Sequence, residues 1–550
     1  MKPFLSLILI LIASNLSYSQ LSEEQIKQVD EIYVDWDKKD SPGAALGIIK
    51  DGKLIYSKGY GMANLEYDIP ITNESVFRIG STSKQFTAAC IVLLSEQSKL
   101  NLDDKLSKYF PAFPKYANEI TIQYLLNHTS GIRDYLTLEY LKGLRDSDYY
   151  EDEDILDLLA NQSDVNFKPN SEFLYSNSGY WLLGQIVEKV SSLNMAEFAK
   201  KEIFEPLGMH NTHFHNDFQQ IVKNRASGYK PVKDGFKIDM TTLNMIGDGG
   251  IFTSIEDMKL WDDAYYKSDI LSESFWNSMT KRGILNNGEA ITYASGLFVG
   301  DYKGLNSIYH GGAFVGFRAN LVRFPDEKTT ILQFANRSDG NPNRAFQVAD
   351  VIFEDKISIP ETTPNNSSKK TKTIKLSSKT IAEYEGHYWN EKSLYSRQIY
   401  FKNDTLWYER SNSRKSPLIA ISKTSFKMLN VNSDIVVTFE VVYNNKMMSV
   451  TIIDDAPIES YSYVPVTRDV QYYETYLGEY YSEELDIIYE LKLKEDKLHL
   501  FINGKDKSQL ESIMKNLFDG DYGLLDFRSS ESGDFLLQAG RVKNLKFVKK

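Results

Sequence analysis

Ser81-Thr82-Ser83-Lys84 places a hydroxyl and an amine three residues apart. On a helix, positions i and i+3 share a face, so the two side chains can meet. A serine is a poor nucleophile until a base removes its proton. A lysine can be that base only if desolvation or nearby positive charge brings its pKa down from about 10.4. The residues that follow, QFTAACIVLL, supply the burial if they form a core helix. The helix start would also aim backbone N–H groups and the positive dipole end at Ser81. The same spacing recurs at Ser278–Lys281, Ser367–Lys370 and Ser512–Lys515, so the motif alone is weak. The first copy differs in context: an apolar lead-in, Gly80 directly before the serine, and an apolar helix pattern behind it.

Two further groups could share that site. Tyr175-Ser176-Asn177 puts a phenol and an amide two residues apart, on one side of an extended segment. A phenol near a lysine can act as general acid or base. An asparagine amide both donates and accepts. His310-Gly311-Gly312-Ala313 stands just before a strand pattern. Glycines there let a substrate or another chain segment approach the backbone. An exposed N–H on that strand could hold the substrate backbone and complete an oxyanion hole.

These groups need a scaffold. Asp51-Gly52 between two apolar runs predicts a hairpin across 44–58. Residues 121–126 and 181–190 carry helical patterns, and NLVRF and TTILQFAN (320–336) read as two strands joined by a Pro-Asp turn. Hairpins at both ends with helices between predict an α/β (α+β) domain whose sheet is assembled from distant segments. The acidic run at 149–159 reads as the start of an exposed helix, its carboxylates near the positive dipole end. His210, His213 and His215 lack acidic or Cys companions of metal-site spacing and read as a solvated turn. His128, before Thr129-Ser130-Gly131, reads as a turn brace.

SxxK, then YxN, then HxG, in that order, resembles the penicillin-recognising serine hydrolases. That group includes class C β-lactamases, D,D-peptidases, D-aminopeptidases and related esterases. LLNHTSGI (125–132), IFEPLGMHNT (203–212) and GDGGIFTSIEDMKLW (247–261) resemble the same family, and the resemblance spans roughly residues 25–355. It implies a β-lactamase/transpeptidase-like catalytic domain with an antiparallel sheet and a helical subdomain. It implies Ser81 as nucleophile, Lys84 as its proton partner, and Tyr175 as general base and proton donor to the leaving group. Asn177, His310, Gly311, Gly312 and Ala313 would bind substrate, with the N–H groups of Ser81 and Ala313 forming the oxyanion hole. No metal or cofactor is implied. The third motif departs from Lys-Thr-Gly or Lys-Ser-Gly. A histidine with pKa about 6.5 is mostly neutral at pH 7, so a free substrate carboxylate should bind more weakly. His-Gly forms resemble those of D-aminopeptidases and esterases.

Residues 359–379 are polar and unperiodic and read as a linker. Beyond them the chain repeats: YEGHY at Tyr384 recurs as YLGEY 92 residues on, and Phe401 and Leu406 fall on Leu493 and Leu498 at the same offset. Both copies alternate apolar and polar residues, so 380–468 and 469–550 are expected to be two small β-domains, each an eight-stranded barrel. A family D-aminopeptidase has the same layout, a catalytic domain followed by two β-barrels.

The chain has 550 residues and a net charge of −12. An acidic surface repels phosphate backbones, which argues against nucleic-acid binding. Lys2, the apolar stretch from Phe4 to Ala13 and Ser17-Tyr18-Ser19 predict a signal peptide over 1–19, cleaved before Gln20. The location expected is periplasmic or secreted, with no stable membrane insertion. Cys90 is the single cysteine, read as a core residue. The expected function is acyl transfer from an amide or ester to water. The substrate expected is a small molecule or short peptide, most specifically a D-amino-acid-containing or peptidoglycan peptide. A carboxylesterase is the alternative within the class. A non-catalytic sensor of peptidoglycan fragments is the alternative outside it. A homo-oligomer is compatible with the sequence.

Overall fold

The computed structural model describes residues 21–145, 148–267, 269–357, 373–411, 414–431, 435–442, 445–452, 457–465, 469–528 and 532–550. The segment read as a signal peptide and most of the linker lie outside these residues.

A six-stranded antiparallel sheet carries the catalytic part. Its order is Phe298–Tyr302, Leu305–Phe314, Phe317–Phe324, Thr329–Ala335, Ala44–Lys50, Lys53–Tyr60. The first and last thirds of this part therefore meet in one sheet, with Ala44 opposite Ala335 and Ile48 opposite Ile331. Asp51 and Gly52 take φ of 48° and 73°, the pair of positive values that a tight type I′ hairpin needs. Leu46 and Ile48 point to a layer formed by helices Glu23–Tyr33 and Arg344–Ile352. Ala45 and Ile49 point to the opposite layer, as period-two alternation requires.

That second layer is built around helix Lys84–Glu96, whose residues Lys84 to Leu94 are all buried. Cys90 lies within it, buried and unpaired. Helices Asn177–Ser191 and Ile255–Tyr266 pack in the same core. The acidic run forms helix Asp152–Ala160, capped by Glu151 and Asp154. His210 is exposed, but His213 and His215 do not form a solvated turn. His213–Phe214 is a strand paired with Ile251–Thr253, and His215 is buried against the Phe252 ring. Both histidine rings pack against Phe252, and their nearest nitrogens lie 3.3 Å apart. Among the described residues no His/Cys/Asp/Glu cluster could hold a metal, and no helix is long and apolar enough to cross a membrane.

The two repeats differ. Strands between Gly386 and Tyr463 close into an eight-stranded barrel. Strands between Gly478 and Lys549 form a nine-stranded antiparallel sheet that curls into a nearly closed barrel, its two end strands being adjacent segments of one run bent at Leu510. The extra strand arises where Leu510 interrupts one run, leaving Lys505–Gln509 on one neighbour and Glu511–Met514 on another. The repeat is nevertheless visible in detail. Tyr388 donates to the carbonyl of Tyr384 at 2.8 Å, and Tyr480 to that of Tyr476 at 2.8 Å. The turns at Asn403-Asp404 and Glu495-Asp496 both have two positive φ values. The first repeat has its own core around Tyr388, Phe426 and Phe439. The core of the second, around Tyr480, Leu498 and Phe547, is continuous with that of the catalytic part.

Candidate active site

Gly80–Ser83 is a short 3-10 turn that runs directly into helix Lys84–Glu96. The turn is held against strand Leu305–Phe314: Thr82 donates to the carbonyl of His310 at 3.1 Å. The approach leaves no room for side chains. A Cβ on Gly312 would lie 1.9 Å from the Ile79 carbonyl oxygen, and one on Gly80 would lie 2.8 Å from the amide nitrogen of Ala313. Gly80 also has φ +52°, a conformation glycine adopts freely. Glycine at these two positions brings the Ser81 turn and the Ala313 backbone side by side.

Lys84 is fully buried and ends among oxygen acceptors. Its ammonium donates to Ser81 Oγ at 3.2 Å, to Asn177 Oδ1 at 2.9 Å and to the carbonyl of Asp248. Burial pulls its pKa down to about 8, the Asp248 charge opposing and that of Arg541 assisting. The polar residues of this buried helix also fix the loop that supplies the carbonyl. Thr87 donates to the Gly247 carbonyl at 2.6 Å, and Ser83 Oγ accepts from the Ile251 N–H at 3.1 Å.

Tyr175 and Asn177 reach the site from either side of an extended residue, Ser176, with φ −135° and ψ 122°. Tyr175 lies before the helix, Ser176 holds the N-cap position without a side-chain capping bond and Asn177 is the first helical residue. Asn177 Oδ1 is taken by Lys84, so its NH2 is the group left to donate to a ligand. The Tyr175 ring is 4.9 Å from the Lys84 ammonium. Its hydroxyl is buried without a hydrogen-bond partner of normal geometry. Burial holds this phenol well above its ordinary pKa, with the nearby Ser81 hydroxyl and Arg541 charge pulling it back. Behind it His128 accepts from the Ser176 N–H at 3.1 Å and stacks near the Tyr175 ring at 4.0 Å. His128 thus does brace a turn, and the turn is the one that carries Tyr175.

His310 is buried, with Nε2 3.0 Å from the Tyr293 hydroxyl and Nδ1 2.6 Å from the Gly311 carbonyl. A carbonyl only accepts, so Nδ1 holds the proton and Nε2 accepts from Tyr293. Burial, then the Lys84 charge, bring its pKa down to about 3. The imidazole is neutral throughout the physiological range.

Ser81, Tyr175, Asn177, His310, Gly311, Gly312 and Ala313 line one cavity of about 470 Å³, with Lys84 directly behind. Sequence reasoning did not single out four other cavity residues: Arg78, Tyr135, Asp248 and Arg541. Arg78 is buried, its guanidinium 5.1 Å from the Phe314 ring. Tyr135 donates to Asp248 at 3.2 Å. Asp248 acts on Lys84 twice, through its backbone carbonyl and through the charge of its carboxylate. Arg541 comes from the last hairpin of the chain, and only folding brings it here. The arrangement can activate Ser81, hold an oxyanion with backbone N–H groups and present a buried phenol to a leaving group.

Comparison with known proteins places this geometry in context. A family model described as Beta-lactamase matches residues 26–352. The chain is 28% identical over 398 residues to a penicillin-binding protein of Bacillus subtilis, covering 68% of this chain and 85% of that one. It is 27% identical over 314 residues to a D-aminopeptidase of Brucella anthropi, covering 57% of this chain and 59% of the relative. The match therefore spans less than two thirds of the D-aminopeptidase. A solved penicillin-binding protein from Bacillus halodurans superimposes with a TM-score of 0.51 at 29% identity, covering 59% of this chain and 98% of that chain. An octameric penicillin-binding protein homologue from Pyrococcus abyssi has a TM-score of 0.57 at 24% identity, covering 80% of this chain and 99% of that chain. The latter likeness concerns the fold.

Proposed function

We propose, from the premise that this chain belongs to the beta-lactamase family and is a serine hydrolase of that family, that it cleaves short D-amino-acid-containing peptides through an acyl-enzyme on Ser81. The observation that carries this is the Lys84 ammonium, buried and 3.2 Å from Ser81 Oγ at the floor of an open cavity. Neutral Lys84 takes the Ser81 proton as Oγ attacks the substrate carbonyl. The N–H groups of Ser81 and Ala313 receive the developing oxyanion, and the Asn177 amide orients the substrate. The carbonyl–nitrogen bond breaks and Tyr175 hands its proton to the departing amine. Lys84 then returns its proton to Tyr175, and water releases the acyl chain. This assigns the first proton transfer to Lys84 and not to Tyr175, the base expected from the sequence, because burial keeps the phenol protonated.

The D-aminopeptidase likeness supports the choice of peptide. A carboxylesterase is the second reading, favoured by the neutrality of His310, which brings no charge for a substrate carboxylate. The N-terminal apolar pattern after Lys2 supports export from the cytoplasm.

The test is intact-mass analysis after exposure to a fluorophosphonate, with Ser81→Ala alongside. A single adduct, absent in the variant, is expected. Turnover of D-amino-acid amides above nitrophenyl esters then supports the peptidase, and the reverse order the esterase. A folded protein that takes no adduct would leave the binding-protein reading in its place.

A further inference from the structure

Arg541 sits in the catalytic cavity although it belongs to the second β-repeat. Strands Phe535–Ala539 and Val542–Lys549 are joined by Gly540 and Arg541 alone, with Ala539 opposite Val542. Gly540 has φ +56°, as the first position of a type II′ turn requires. The two-residue turn therefore projects Arg541 at the hairpin tip.

The tip is clamped to the catalytic part. The Asn166 side chain donates to the Arg541 carbonyl at 2.9 Å and accepts from the Lys543 N–H at 2.7 Å. Behind it Arg133 donates to the carbonyls of Lys543 and Asn544 and pairs with Glu484 at 2.7 Å. These bonds hold the backbone of the hairpin tip, and so the base of the Arg541 side chain, at the cavity.

The guanidinium lies 4.7 Å from the centre of the Tyr175 ring and 3.5 Å from one oxygen of Asp134. Asp134 is already occupied: it accepts from the N–H groups of Asn177 and Thr137 and from the Thr137 hydroxyl. Its long contact with Arg541 orients the guanidinium and leaves most of the fork unused. Of the two guanidinium groups lining the cavity among the described residues, Arg78 is 6% exposed beneath aromatic rings. The Arg541 side chain is 41% exposed, and it is the one that a ligand entering from solvent meets.

A planar fork with free N–H donors matches a carboxylate. We propose that Arg541 is a specificity residue that receives a carboxylate on the leaving-group side of the substrate, so that the second β-repeat supplies the charge that strand Leu305–Phe314 lacks. The side is set by Tyr175, against whose ring Arg541 packs, since the leaving group must reach that phenol. This rests on the hydrolase reading above and narrows it to substrates whose departing portion ends in an acid. It also reverses the expectation of weak carboxylate binding drawn from His310-Gly311-Gly312.

The test is made on binding, so that it does not depend on turnover. Full-length Ser81→Ala protein is titrated with the thioester of N-benzoylglycine and mercaptoacetic acid, and with the methyl ester of the same compound. The acid is expected to bind about tenfold or more tightly than the ester, the size of one charge-assisted pair. Adding Arg541→Ala removes that preference, and Arg541→Lys, which keeps charge but not the fork, retains part of it. Because each variant is compared with itself, a general loss of affinity does not imitate the result. Equal affinity for the two ligands with Arg541 in place, no binding of either, or a preference that survives Arg541→Ala overturns the proposal. Labelling of Ser81 by fluorophosphonate decides the hydrolase reading separately.

Discussion

The ammonium of Lys84 and the hydroxyl of Ser81 lie 3.2 Å apart, and the amine that completes the pair has lost its contact with water. Burial brings its pKa to about 8, so about one-tenth of Lys84 is neutral at pH 7. The base form gains population as pH rises. Acylation of Ser81 should therefore increase with pH along a single limb with its midpoint near 8, and then level off. His310, brought to about 3 by burial, adds no limb between pH 5 and 8. Rates of fluorophosphonate labelling across pH 5.5–10 check both points. A midpoint near 6.5 would point to a histidine base and contradict the assignment. Lys84→Met should slow labelling about a hundredfold or more, the scale of a lost general base.

Tyr175 is placed as proton donor, which makes the cost of losing it depend on the leaving group. A departing amine needs a proton, whereas nitrophenolate leaves as an anion. Tyr175→Phe keeps the ring against His128 and removes the hydroxyl. It should reduce kcat/KM for a D-amino-acid amide about 10²–10⁴-fold and that for a nitrophenyl ester by much less. Equal losses on the two substrates would mean that Tyr175 takes the Ser81 proton after all.

Gly312 decides how close the third motif can come to the nucleophile turn. A Cβ there meets the Ile79 carbonyl oxygen at 1.9 Å, a contact that backbone cannot relieve without moving. Gly312→Ala should displace the Ala313 N–H from Ser81 and slow acylation about a hundredfold, as loss of one oxyanion donor does. Stability should fall by about 1–3 kcal/mol. At Gly311 the nearest atom to a new Cβ is the Ala319 carbonyl oxygen, 3.7 Å away. Gly311→Ala should melt close to the wild-type temperature. Calorimetry on the two variants separates crowding from a general intolerance of alanine on this strand.

The side chains that carry chemistry were legible because residue type announces them: a serine and lysine three apart, a tyrosine and asparagine two apart, two glycines after a histidine. Folding brings all of them to one cavity. The extended step at Ser176 puts Tyr175 and Asn177 on the same Lys84 ammonium, as the two-residue spacing suggested, while the helix begins at Asn177, earlier than the 181–190 pattern indicated. Asp248 was invisible because only folding brings its backbone carbonyl and its carboxylate charge to Lys84. Arg541 was invisible for a further reason. Its role depends on how the second repeat docks, and docking is set by buried groups scattered over Arg133, Gln162, Asn166 and Glu484. The repeat itself was plain at an offset of 92. The bend that splits one strand of the second barrel-like copy was not, since it turns on a single residue, Leu510.

That docking can be tested through one ion pair. Arg133 and Glu484 are 2% and 9% exposed and 2.7 Å apart, and Glu484 also accepts from the Ser163 N–H and hydroxyl. Removing one partner of such a pair leaves an unpaired charge away from water, a loss of about 3–5 kcal/mol. Glu484→Ala should therefore destabilise the seating of the second repeat, whose core around Tyr480 and Phe547 runs into that of the catalytic part, more than it disturbs the separate core of the first repeat. Limited proteolysis should then cut first between the catalytic part and the repeats. Urea unfolding should separate into two transitions where the parent protein shows the two parts unfolding together. The same variant should lose the preference for acidic leaving groups that Arg541 confers, because the hairpin is no longer held at the cavity. A variant that unfolds in one step at the parent midpoint would show that the pair does not hold the hairpin in place.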